Sequence, residues 1–88
     1  MSYQIQGAIV KGKDITFAIV IVKPPVIQSR SEIQEARNAY RHVFPGMPIV
    51  LIGKDSQGKT VYNGRKDIVS FLVKVDPRKI PWRRYIIT

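Results

Sequence analysis

The chain has no cysteine, one histidine, one tryptophan and six acidic residues against fifteen lysines and arginines. Without cysteine there is no disulfide framework, no thiol nucleophile and no thiolate metal site. His42 has no second imidazole to share a zinc ion with, and the scattered carboxylates give no serine a matched acid and base. No catalytic, cofactor-binding or metal-binding residue is therefore assigned, and the chain is expected not to be an enzyme. Long apolar runs are also missing. The longest, Ile15 to Val22, is eight residues with Thr16 inside it, against roughly 20 for a membrane span. No cationic stretch followed by an apolar one opens the chain, so no export signal is expected and the expected location is the cytoplasm.

The chain does carry charge. A formal net charge of +9 on 88 residues costs stability through self-repulsion, which points to nucleic acid or another polyanion as a partner. The same charge also keeps a small domain soluble without any such role. Hydrophobic residues make up 44% and charged residues 24% of the chain, proportions of a folded globular domain. The length fits one domain, residues 1–88, with a single core.

Gly53 to Thr60 reads GKDSQGKT, a literal match to the phosphate loop G-x-x-x-x-G-K-[ST]. In that loop the Lys and Thr open a helix whose first N–H groups grip phosphates. Here Thr60 is followed by Val61-Tyr62-Asn63-Gly64, two strand formers and a turn pair. The string is expected to be a hairpin connection, and no ATP or GTP binding is expected of it.

Tyr3 to Val10 and Ile15 to Val22, joined by Lys11-Gly12-Lys13-Asp14, predict a first hairpin. Its second strand is apolar at nearly every position, as in a central strand covered on both faces. Pro24-Pro25 ends that strand. Ser29, three residues before Glu32, has capping-box spacing, and Ile33, Ala36, Tyr40, Val43 and Phe44 follow at helical spacing until Pro45-Gly46. Pro48 to Ile52 and Thr60 to Tyr62 predict a second hairpin. A second helix follows, capped by Asn63, with Ile68, Phe71, Leu72 and Val75 on one face; its β-branched residues keep a strand as the alternative.

The predicted fold is α+β in the order ββαββα. The two hairpins form one mainly antiparallel four-stranded sheet, with two helices on one face and residues 77–88 as a tail. The other face is left open, with Tyr3, Ile5, Phe17, Ile19 and Ile21 on it, which makes a homodimer plausible. The tail from Pro77 to Tyr85 holds four cations and no acid. Cations interleaved with aromatic rings suit single-stranded nucleic acid. Lys54, Lys59, Arg65, Lys66, Arg78, Lys79, Arg83 and Arg84 are the candidate phosphate contacts, with Trp82 and Tyr85 as stacking rings. Trp82 has a second reading, as the side chain that docks the tail onto the core. The alternative function is a protein-interaction or homo-oligomeric module with no nucleic-acid role.

Overall fold

The computed structural model describes residues 3–12 and 14–87. β1 (Tyr3–Lys11) and β2 (Thr16–Ile21) form the first hairpin, closed by the Gly12 N–H donating to the Ile15 carbonyl at 2.8 Å. Lys13 of the predicted turn lies outside the described residues. Pro24 and Pro25 do more than end β2. They occupy the first turn of a short helix, α1 (Pro24–Ile27), where a missing N–H costs nothing. α2 (Arg30–Tyr40) starts at Ser29, whose hydroxyl accepts from the Glu32 N–H at 3.4 Å. Ser29→Ala is expected to cost about 1 kcal/mol, read as a lower urea midpoint at unchanged slope.

β3 (Ile49–Lys54) and β4 (Thr60–Asn63) form the second hairpin, and α3 (Lys66–Leu72) follows as a helix rather than a strand. Asn63 does not cap it. Arg65 stands at the cap position without a side-chain capping hydrogen bond, and Asn63 ends β4 instead. A 3₁₀ turn (Pro77–Lys79) leads to β5 (Arg83–Ile87).

The sheet order is β4-β3-β2-β1-β5. β2 and β3 are parallel and every other neighbouring pair is antiparallel. The predicted α+β class holds, with three corrections. The sheet has five strands, because the tail supplies β5 along the edge of β1. The parallel β2–β3 pair makes it mixed, since α1 and α2 form a crossover that carries the chain back to the end where β2 began. Among the described residues there are three α-helices rather than two, and they cover both faces instead of one.

The strand alternation shows this directly. Ala18, Val20, Ile49 and Leu51 pack in one cluster with Ile27 of α1 and Tyr40 of α2. Phe17, Ile19 and Val50 pack in a second with Ile68 and Leu72 of α3. Phe17, Ala18, Ile19 and Val20 have no exposed surface, so β2 is the doubly covered central strand that its composition predicted.

This layering removes the aliphatic face predicted to be open. α3 and the Ile80–Trp82 segment cover Phe17 and Ile19. Ile5 stands on the other face with α2, because Gln6, not Ile5, pairs with Ile21. The Tyr3 side chain lies outside those described. Ile21 and Ile86 remain exposed.

Candidate functional site

The phosphate-loop string is closed on itself. One Asp55 carboxylate oxygen accepts from the Gln57 and Lys59 N–H groups, both at 2.9 Å, and the Asp55 carbonyl accepts from the Gly58 N–H at 3.0 Å. Gly58 makes the turn at φ +80°, open to glycine without strain. Lys59 leads into β4, not a helix. The N–H groups that a phosphate loop turns to its ligand are turned here to Asp55. Lys54 and Lys59 are exposed at this hairpin, at the end of the sheet opposite Lys11.

The tail does bring cations together. Register between β1 and β5 begins at Gly7 and Arg83, so Ala8 to Lys11 run past the start of β5. The open edge becomes a groove of about 560 Å³, lined by Ile9, Val10, Lys11, Lys79, Pro81, Arg83 and Tyr85. Three cations and no carboxylate line it. Lys79, Arg83 and Tyr85 come from the predicted set. Lys11 was missed, because only the β1–β5 pairing brings the end of the first strand beside the tail. The Tyr85 ring meets Phe44 edge-on at 4.9 Å, which leaves it half-buried and oriented.

The remaining predicted residues lie elsewhere. Arg84 alternates to the opposite face from Arg83 and pairs with Gln6. Trp82 is half-buried against the Ile68–Leu72 cluster, its indole N–H donating to the Pro77 carbonyl at 3.3 Å. The indole thus docks the tail, the second of its two sequence readings. Arg78 is tied to Asp76 at 3.0 Å, and hydrogen bonds from the Arg78 side chain and then its backbone N–H hold the Asp76 carboxyl below its usual range. Arg65 pairs with Asp67 at 2.8 Å, and its side-chain hydrogen bond lowers that carboxyl likewise. Lys66 is exposed at the start of α3.

A second cationic cluster, not signalled by the sequence, surrounds Arg37. Its guanidinium is half-buried and donates to the Ile49 carbonyl, the Asn63 carbonyl at 3.1 Å and the Asn63 side-chain oxygen. Burial, and then the neighbouring charge of Arg41, lower its pKa. Arg37, Arg41 and Arg65 line one cavity of about 310 Å³ with Met47, Pro48 and Ile49. Arg37, four residues after Ile33 and three before Tyr40, falls at the border of the apolar stripe of α2, and Arg41 lies one turn further on, but only the fold brings Arg65 to them.

Among the described residues no group of three or more His, Cys, Asp or Glu side chains is placed to hold a metal ion, and His42 is exposed just after α2. No described helix is long and apolar enough to cross a membrane. Compared with known protein families, with curated proteins and with solved structures, the chain finds no match.

Proposed function

We propose that this chain is a small, non-catalytic cytoplasmic domain that contacts nucleic acid through the phosphate backbone of a single strand. The observation that carries the reading is the groove in which Lys11, Lys79 and Arg83 converge without a carboxylate. Three cations along an open slot match successive phosphates, and an oriented Tyr85 ring gives a base a surface to stack on. Arg84, Lys66 and the hairpin lysines supply a weaker, diffuse attraction from outside the slot. Trp82 serves by holding the segment that presents Lys79 and Arg83.

The test is fluorescence anisotropy of a labelled single-stranded oligonucleotide across a salt series. Each phosphate contact contributes about 0.7 to the slope of log affinity against log salt, so Lys79→Ala with Arg83→Ala should flatten the slope by about 1.4. Lys54→Ala with Lys59→Ala, which alters charge equally but outside the groove, should change the slope less. Equal flattening by the two pairs would show that net charge, not the groove, attracts the strand.

A second reading, a protein-interaction or self-associating module, draws on Ile86, which is 66% exposed on edge strand β5. Sedimentation equilibrium separates the two. A dimer that Ile86→Lys dissociates, in a chain that binds no oligonucleotide, would favour the second.

A further inference from the structure

The three arginines around the smaller cavity are short of negative charge. Only Arg65 has a carboxylate partner among the described residues, in its exposed pair with Asp67. Arg41 has no side-chain partner there. Arg37 sits half-buried against two backbone carbonyls and an amide oxygen, which orient a cation without neutralising it. Burial first, and then the like charge of Arg41, disfavour the charged form of Arg37, and lining one partly dehydrated cavity with further cations is unfavourable.

The donors not yet used point to what relieves it. A guanidinium has five N–H groups in a fixed plane. Arg37 engages both on Nη2 and one on Nη1, leaving its Nε–H and its second Nη1–H. Arg65 binds Asp67 through Nε and Nη2, leaving Nη1. Arg41 keeps all of its donors. Planar forks of this kind match the oxygens of a phosphate group better than lysine does.

We propose that this cavity is a binding site for a phosphomonoester group, held by Arg41 and by the remaining N–H groups of Arg37 and Arg65. A dianion answers a surplus of positive charge that a singly charged diester would leave partly unmet. The start of β3 and the end of β4, beside which the cavity lies, stand about three strand spacings, roughly 15 Å, across the sheet from the β1–β5 groove. The site is therefore separate from the groove and does not rest on its role.

Guanidinium N–H resonances, followed by NMR during titration with inorganic phosphate at low ionic strength, test the proposal. The Arg37 and Arg41 signals should shift and saturate, and sodium chloride at matched ionic strength should not reproduce the shift. Arg41→Gln, which removes no contact that supports the fold, should weaken binding by about tenfold, the scale of one charge-assisted contact. Arg83→Gln should leave it unchanged. A shift that never saturates, that chloride reproduces, or that both variants weaken equally would overturn the site. Two oligonucleotides, with and without a terminal phosphate, then identify the source. A preference for the phosphorylated strand that Arg41→Gln abolishes marks a strand end as the ligand. Equal binding of the two strands, with phosphate saturation intact, marks a small free phosphomonoester. Saturable phosphate binding without oligonucleotide binding would sink the groove reading and leave this site standing.

Discussion

Replacing Phe17 by alanine is expected to cost about 3 to 5 kcal/mol. The ring has no exposed surface and packs with Ile19, Val50, Ile68 and Leu72. It also meets Phe71 edge-on at 6.1 Å with the rings nearly perpendicular. Its removal leaves a void between the sheet and α3, which a helix of 7 residues is poorly able to fill by collapsing. Domains of this size have about 5 to 15 kcal/mol in total, so the variant should melt more than about 10 °C lower. Phe71→Ala provides the contrast. That ring is 45% exposed, so its loss should cost about 1 kcal/mol, mainly the edge contact and partial burial. A Phe17→Ala loss as small as that of Phe71→Ala would mean that α3 does not close this face, and the two-sided sheet would be wrong.

That experiment bears on the part of the fold least legible in the sequence. β2 shows apolar residues at both parities, so double coverage was readable, and the capping serine and the hairpin at Gly53 to Thr60 were readable from local chemistry. Which helix covers which face is not a local property. Ile68 and Leu72 pack against Phe17 and Ile19, while the α2 stripe packs against Ala18 and Val20. Both helices have one apolar stripe, and nothing in either period says to which side of the sheet it turns. The fifth strand was hidden for a related reason. Arg83 to Ile87 alternates weakly beside Pro81, and β5 is completed only by crossing from β4, at one edge, to the far side of β1, where β5 becomes the other edge. Pairing across that distance leaves no trace in local spacing. The candidate groove inherits the same limit. Its tail residues stood out as a cationic, aromatic stretch, whereas Lys11 joins them through the β1–β5 register alone.

Arg37 is the extreme case, and its replacement carries the second large expected effect. On the sequence it is one of several charges on α2, at the border of the apolar stripe four residues after Ile33, with no sign of what it would bind. In the fold it ties α2 to the start of β3 and the end of β4 through Ile49 and Asn63. Arg37→Met keeps the aliphatic stem but removes every donor, leaving the partly buried oxygens of Ile49 and Asn63 without it. We expect a loss of about 2 to 4 kcal/mol, since hydrogen bonds to charged groups contribute about 1.5 to 3 kcal/mol each and water re-enters on one side. Arg37→Lys should recover little of this, because a single ammonium on a flexible stem does not span two strands as a planar fork does. Asn63→Ala should cost less alone and add little to Arg37→Met, the non-additivity expected of side chains that share one contact. Urea unfolding of the two single variants and the double variant measures this. Additive losses would mean that Arg37 and Asn63 act independently, and the tie between helix and hairpin would have to be assigned to packing alone. Coupling between them would instead show one arginine holding α2 to the start of β3 and the end of β4, beside the cavity it lines.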